Sequence, residues 1–183
     1  MQTEGITLMS FTRAIASAAL LATLLAAPAG AEEVKAGDLV ITQAWSRATP
    51  GGARTGGGFL TIENKGSTAD RLIGGSGDIA DRIEVHEMSM NDGVMTMRPL
   101  EKGLAIGPGK TVKLAPGGYH LMMFELKGPL KQGDQVPLML EFERAGKVKL
   151  TFDVQGVGAP GPAGAGKPGM DMKKMPDHSG AKM

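Results

Sequence analysis

Hydrophobic and polar residues alternate with a period of two along most of the chain between residues 39 and 154. In the segment 147–154 every second residue is Val, Leu or Phe, and the residues between them are Lys, Thr or Asp. This is the pattern of a β-strand that buries one face. Related patterns predict further strands at Leu39–Trp45, Phe59–Glu63, Arg71–Gly74, Arg82–Met90, Val94–Arg98, Thr111–Leu114, Tyr119–Leu126 and Leu138–Glu143.

Clusters of Gly, Pro, Asn and Asp separate these segments, for example at 49–52, 91–93 and 116–118. Such clusters are typical of the turns that connect neighbouring strands. Between residues 32 and 157 no stretch of twelve residues has the period of an amphipathic helix. The sequence therefore predicts a single all-β domain at 32–157, built as a Greek-key β-sandwich or barrel.

The two ends of the chain differ from this domain. Within residues 1–31, Arg13 precedes an apolar run at 14–27 and a cluster of small residues at 29–31. This order is typical of a cleavable signal peptide and predicts export to the periplasm. The alternative is an uncleaved anchor, but the apolar run is shorter than the roughly 20 residues that span a bilayer. Residues 158–183 are rich first in Gly and Pro and then in Met, which predicts a flexible, disordered tail.

The composition excludes several classes of protein. The chain has 183 residues, no cysteine, and 20 Lys and Arg against 19 Asp and Glu. The absence of cysteine excludes disulfides, zinc–thiolate sites, iron–sulfur clusters and blue-copper centres. The near balance of charge gives no electrostatic basis for binding nucleic acid or a membrane surface. Because no nucleophile and base form a recognisable pair, we do not expect an enzyme.

The chain contains 13 Met and 3 His residues, and their distribution is uneven. Methionine commonly fills irregular gaps in a hydrophobic core. We expect this role for Met123 and Met139. We expect Met90 and Met95 to be exposed, because they lie close to a predicted hairpin turn, and an auxiliary role in metal binding is the less favoured alternative for them.

That turn is Asp92-Gly93, a strong signal for a two-residue hairpin loop. A loop at these two residues places Met88 directly opposite Met97 in the neighbouring strand. His86 then shares the face of Met88 and lies diagonal to Met97, which is a separation of about 7–8 Å. Glu84 lies on the same face and is a candidate hydrogen-bond partner for His86.

A second pair of candidate ligands lies on another predicted strand. His120 and Met122 are two residues apart, so their side chains share one face. Thioether is a soft, uncharged ligand that favours Cu(I) over zinc, calcium or magnesium. If the two groups of His and Met residues meet in the fold, the sequence predicts a Cu(I) site that needs no thiolate.

Several of these segments resemble the PCuAC family of periplasmic copper chaperones. The pattern of that family is a His, ten residues, a Met, and further along the chain a His-x-Met sequence. Residues 87–96 separate His86 from Met97, and residues 98–119, one more than is usual, precede His120. The resembling segments are His86-Glu-Met88, Asn91-Asp-Gly-Val94, Met97-Arg-Pro99 and Pro116-Gly-Gly-Tyr-His-Leu-Met122.

The resemblance spans roughly residues 36–156 and implies a cupredoxin-like β-sandwich that binds one Cu(I). It implies His86, Met97, His120 and Met122 as the copper ligands. Met88 is an additional candidate because of its predicted position opposite Met97. It also implies delivery of copper for assembly of the cytochrome oxidase copper centre, to the oxidase subunit itself or to a Sco-type protein. We expect the carrier to be a monomer.

Some members of that family carry a His- and Met-rich C-terminal extension that is thought to bind Cu(II) or to assist copper capture. The tail of this chain resembles such an extension, and the alternative is a solvated tail without function. Two other functions remain open at this point: a periplasmic copper-storage or resistance protein, and a β-sandwich interaction module that binds no metal. The candidate tail ligands are Met170, Met172, Met175, His178 and Met183.

Overall fold

The computed structural model describes residues 33–163, which form eleven β-strands. The predicted signal peptide 1–31 and residues 164–183 of the predicted tail lie outside the described residues. Residues 33–163 form no helix, and therefore none of the length and apolarity needed to cross a membrane. The strands are β1 (Val34–Ala36), β2 (Leu39–Arg47), β3 (Thr55–Asn64), β4 (Asp70–Gly77), β5 (Ala80–Asn91), β6 (Val94–Pro99), β7 (Leu104–Ile106), β8 (Thr111–Leu114), β9 (Tyr119–Leu126), β10 (Gln135–Phe142) and β11 (Gly146–Gln155).

Seven of these strands close into a ring. The hydrogen-bonded order is β2–β11–β10–β4–β5–β9–β3, and β3 pairs with β2 to complete the circuit. The pairing of β11 with β2 is parallel, and the other pairs of this ring are antiparallel. Strands β1, β6, β7 and β8 each add to one member of the ring. The predicted all-β sandwich or barrel is therefore confirmed.

The alternating residues fill the interior of the ring as predicted. In β11 the side chains of residues 148, 150, 152 and 154 are buried, and those of Lys147 and Lys149 are exposed. Phe152 is fully buried in the core. Burial of each large apolar side chain contributes about 1.5–3 kcal/mol. The alternating pattern is thus the main determinant of which face of each strand turns inward.

Several strands run further than the sequence pattern indicates, and glycines continue two of them. Strand β3 begins at Thr55 rather than Phe59, and β4 continues to Gly77 rather than ending at Gly74. A Cβ at Gly75 would lie 2.9 Å from the carbonyl oxygen of Met139, so only glycine allows this close approach of β4 to β10. Strands β1 and β7 were not predicted; each has three residues, too few for a period of two.

One methionine side chain lies on the face of its strand opposite to the predicted face. Met123 is buried in the core, as expected. Met139 is only half-buried and lies opposite Lys149 and Ser76 on the outer face of β10. The prediction for Met139 was wrong because its neighbours Leu138 and Leu140, by alternation, take the inward positions.

Candidate metal centre

A two-stranded hairpin carries half of the predicted ligands. Strands β5 and β6 are joined by Asp92 and Gly93, whose φ angles of 50° and 80° are those of a tight turn with two left-handed residues. Met88 lies directly opposite Met97, which confirms the predicted register. We call a pair of directly opposed residues in neighbouring strands a rung.

The two candidate histidines form one rung between β5 and β9. His86 lies directly opposite His120, and their ring centroids are 5.9 Å apart with the planes inclined by 49°. Both residues are buried, with only 6% of their surface exposed. Histidines 34 positions apart in the sequence are therefore brought into contact by the sheet, as the ligand pattern requires.

His86 lies between the other three candidate ligands. Along this face of β5, Met88 lies opposite Met97 of β6. The next two residues on the face, His86 and Glu84, lie opposite His120 and Met122 of β9. Met97 and Met122 are therefore each diagonal to His86, on opposite sides of it. In a regular sheet the Cα atoms of Met97 and Met122 would lie about 17 Å apart, and those of Met97 and His120 about 12 Å apart.

The proton on His86 has a defined position. The Nε2 atom of His86 lies 2.9 Å from Oε2 of Glu84, and Nε of Arg82 lies 2.6 Å from the other carboxylate oxygen. The hydrogen bond from His86, together with the charge and hydrogen bond of Arg82, lowers the pKa of Glu84. An ionised carboxylate only accepts hydrogen bonds, so the neutral ring carries its proton on Nε2.

The other ring nitrogen of His86 then has a free lone pair. This Nδ1 atom is buried and has no hydrogen-bond partner among residues 33–163. A buried polar atom without a partner is uncommon and costs stability. A cation bound at Nδ1 would satisfy it, and this observation makes the site fit a metal.

His120 is oriented in the complementary way. Its Nδ1 atom lies 3.0 Å from the carbonyl oxygen of Gly118. Because a carbonyl oxygen only accepts, Nδ1 donates and the lone pair is on Nε2. The rung thus offers one free nitrogen from each histidine, and each ring is held by a hydrogen bond through its other nitrogen, as is common for metal-binding histidines.

Aromatic and glycine residues border the site. The ring of Phe124 lies 5.7 Å from the ring of His86, and the guanidinium of Arg82 lies over Phe124 at 4.4 Å from its centroid. In β3 the residue opposite Met122 is Gly57, which has no side chain to cover the thioether. The sequence pattern did not indicate Arg82, Phe124 or Gly57, because their roles depend on which strands are neighbours.

The donor set suits a soft cation. Among residues 33–163 no three His, Asp or Glu side chains cluster in a way that could hold a metal ion. Two imidazoles and the neighbouring thioethers are the donors that remain at the His86–His120 rung, and thioether favours Cu(I). Met88 lies on the same face, whereas the tail candidates Met170, Met172, Met175, His178 and Met183 lie outside the described residues.

The chain matches the model of one protein family and two curated relatives. The family is described as "LpqE-like: Putative lipoprotein LpqE-like", and the match covers residues 39–154. A putative lipoprotein of Leifsonia xyli subsp. xyli, Lxx21020, is 32% identical over 102 residues, which cover 56% of this chain and 60% of the relative. A protein of Rickettsia prowazekii, RP573, is 26% identical over 104 residues, covering 55% and 58%. The chain thus spans about three-fifths of the length of these relatives.

Solved structures of PCuAC domains have the same fold. The copper-bound PCuAC domain from PmoF2 superposes with a TM-score of 0.60 at 23% identity, covering 68% of this chain and 98% of that domain. The solution structure of CuI-DR1885 from Deinococcus radiodurans matches with a TM-score of 0.50 at 26% identity, covering 69% and 83%. These matches confirm the predicted resemblance to PCuAC domains and the cupredoxin-like β-sandwich.

Proposed function

The chain belongs to the LpqE-like family, and from that premise we propose that it is an extracytoplasmic copper chaperone that binds Cu(I) through His and Met side chains. The family description names a lipoprotein, and the N-terminal residues 1–31 have the pattern of a signal peptide. Both support a location outside the cytoplasm, which we take to be the periplasm. Copper is the cargo of this protein, and we propose no catalytic step.

The observation that carries the proposal is the His86–His120 rung, with a buried nitrogen on His86 that has no hydrogen-bond partner in the described part of the chain, and thioethers on either side. A relative of similar fold and 26% identity was solved in its Cu(I) form, which supports copper as the cargo. We assign Nδ1 of His86 and Nε2 of His120 as the nitrogen donors. Met122 is the third ligand, because it neighbours His120 on β9 and is diagonal to His86.

Met97 completes the set from the hairpin. Its side chain is 49% exposed and lies on the far side of His86 from Met122. A two-stranded ribbon twists more strongly than a strand inside a sheet, and we propose that this twist brings the Met97 side chain within reach of the ion at the histidine rung. We propose that Met97 binds last and leaves first, because it alone of the four lies beyond the closed ring of strands.

This arrangement suits transfer of the cargo to a partner. Thioether and imidazole are neutral ligands, so Cu(I) is held without the strong attraction of a thiolate. The ligand from the exposed hairpin can be replaced by a donor of the partner while the other three still hold the ion. We propose that the recipient is the copper-centre subunit of cytochrome oxidase or a Sco-type protein, and that the tail assists capture of Cu(I) or Cu(II).

The binding proposal is tested with Met97→Leu and Met122→Leu. Each variant removes a thioether but nearly conserves side-chain volume, so we expect a loss of stability below about 1.5 kcal/mol. Cu(I) affinity is measured anaerobically by competition with a colorimetric Cu(I) chelator. We expect each variant to bind Cu(I) at least about tenfold more weakly, equivalent to about 1.4 kcal/mol.

Met139→Leu is the matched control, because Met139 is a half-buried methionine on the outer face of β10, away from the site. Its affinity for Cu(I) should equal that of the unmodified protein. Absence of Cu(I) binding by the unmodified protein would refute the carrier function. Unchanged affinity in both site variants would remove the thioethers from the site.

Delivery and storage differ in what happens to bound copper. A chaperone loaded with one Cu(I) should transfer it to the purified copper-binding domain of an oxidase subunit faster than Cu(I) dissociates into a buffer without acceptor. A storage protein should release copper at the same rate with and without that domain. Transfer is measured by the absorption of the copper-loaded acceptor, and equal rates would contradict delivery.

A further inference from the structure

The hairpin that carries Met97 has two chemically different faces. We call residues 87–98 the hairpin arm. On one face Arg98 donates to Glu87 at 2.6 Å, and the hydroxyls of Ser89 and Thr96 are 3.0 Å apart. Every side chain of these two rungs is polar. The third rung of this face, Asn91–Val94, has one apolar residue, so five of its six side chains are polar, as expected of a solvent-exposed ribbon.

The other face of the arm consists of thioethers. Its two rungs are Met88–Met97 and Met90–Met95, with the second rung next to the turn. Met90 and Met95 have 64% and 60% of their surface exposed. Methionine stabilises a fold mainly when it is buried, so packing does not account for this rung. Exposed apolar groups that form a patch commonly mark a site of interaction.

We propose that the Met90–Met95 rung is a second, weak Cu(I) site through which copper enters and leaves the His86–His120 site. Directly opposed side chains have Cβ atoms about 5 Å apart, so two flexible thioethers can hold one soft cation between them. Successive rungs on one face are about 7 Å apart. The two thioether rungs thus form a continuous path from the exposed turn to His86. This inference rests on the proposed Cu(I)-binding function and extends it to the route of the ion.

The transfer between rungs needs no further reactant. A copper–sulfur bond to Met95 breaks as one to Met97 forms, and the copper stays in the +1 state throughout. Thioethers are neutral in both the free and the bound state, so no proton is released or taken up. Two neutral ligands bind weakly, and a weak site on the path allows the ion to move on to the stronger site at the histidines.

The first test is NMR of the full chain carrying 13C-methyl methionine, titrated with Ag(I) as a redox-inactive substitute for Cu(I). The first equivalent should shift the methyl signals of Met97 and Met122. A second, weaker binding event should shift those of Met90 and Met95, and the signal of Met139 should not move. No shift at Met90 and Met95 would overturn the second site. No tight first event would instead refute the proposed function.

The second test measures rates in the double variant Met90→Leu/Met95→Leu, with Met139→Leu as control. A residue on the route changes the rates of entry and exit by the same factor and leaves their ratio unaltered. We expect loading from a Cu(I)–chelator complex and release to excess chelator both to slow by about tenfold, within the range that on-rates span among variants of one interface. Unchanged rates, with binding at the histidines intact, would overturn the relay.

Discussion

Removal of the Glu84 carboxylate tests whether the orientation of His86 matters for copper. The hydrogen bond from His86 Nε2 to Glu84 is 2.9 Å long and fixes the free lone pair on Nδ1. In the variant Glu84→Ala the ring has no acceptor, so its proton can occupy either nitrogen. Copper binding must then also select one tautomer and one ring orientation, and the free energy of this selection lowers the affinity for Cu(I).

The size of the effect follows from the type and exposure of this hydrogen bond. A hydrogen bond to a charged group contributes about 1.5–3 kcal/mol, and loss of such a partner typically weakens metal binding by about 10–100-fold. The side chain of Glu84 is 34% exposed, so solvent screening places the effect at the lower end. We expect Glu84→Ala to bind Cu(I) about tenfold more weakly, and Glu84→Gln, which keeps an acceptor oxygen, to lose less.

Glu87 provides a matched control on the same strand. It also pairs with an arginine, Arg98, but it lies on the opposite face from His86. Glu87→Ala should therefore bind Cu(I) as the unmodified protein does. Two measurements are needed: affinity by chelator competition, and the tautomer of His86 in the copper-free protein by 15N NMR. The reasoning is refuted if Glu84→Ala keeps the Nε2–H tautomer, or if it and Glu87→Ala have the same affinity.

Two further predictions concern coupling within the site and stability of the fold. Of the other three candidate ligands, His86 lies nearest to Met97. Met97→Leu should therefore weaken Cu(I) binding in the unmodified protein but have no effect in His86→Ala, which a double-mutant cycle measures. Equal effects in both backgrounds would contradict the position of His86 between Met97 and the other ligands. The buried carboxylate of Asp70 accepts backbone N–H groups of residues 71, 144 and 145 at 2.7, 2.9 and 3.0 Å. Asp70→Ala should lower the free energy of unfolding by about 3 kcal/mol or more in urea denaturation, since these donors lose a charged acceptor; a change below about 1 kcal/mol would contradict this role.

The sequence predicted those parts of the fold that depend on local pattern. The strand at 147–154 and the turn at Asp92-Gly93 follow from alternation and from the left-handed turn conformation, which are properties of a few adjacent residues. The extension of β4 to Gly77 could not be predicted in this way. Glycine there serves the close approach of β10, a contact between residues more than 60 positions apart in the sequence.

In the candidate site, too, local features could be predicted from the sequence and contacts between distant strands could not. The rung Met88–Met97 could be predicted because one tight turn sets its register. The contact of His86 with His120 depends on β5 and β9 being neighbours, and spacing alone does not determine the order of strands in a sheet. Their meeting was therefore inferred from the choice of ligand types and from family resemblance. The proton positions on the two rings required the hydrogen-bond partners, one of which is a backbone carbonyl that no sequence pattern reveals.

Three of the proposed ligands lie on strands of the closed ring, and the fourth lies on the exposed arm. This arrangement allows an ion to be held firmly and still be released. His86, His120 and Met122 lie on β5 and β9, two strands of the ring that pair directly with each other, so the backbone hydrogen bonds between these strands fix their spacing. Met97 lies on β6, which within residues 33–163 pairs only with β5, and every residue of β6 is exposed in this part of the chain. In the proposed four-ligand site, movement of the arm changes the bond to Met97 while the pairing of β5 with β9 keeps the spacing of the other three ligands. On this proposal, a partner that binds the arm gains access to the ion where its coordination is weakest, and transfer requires no unfolding of the ring.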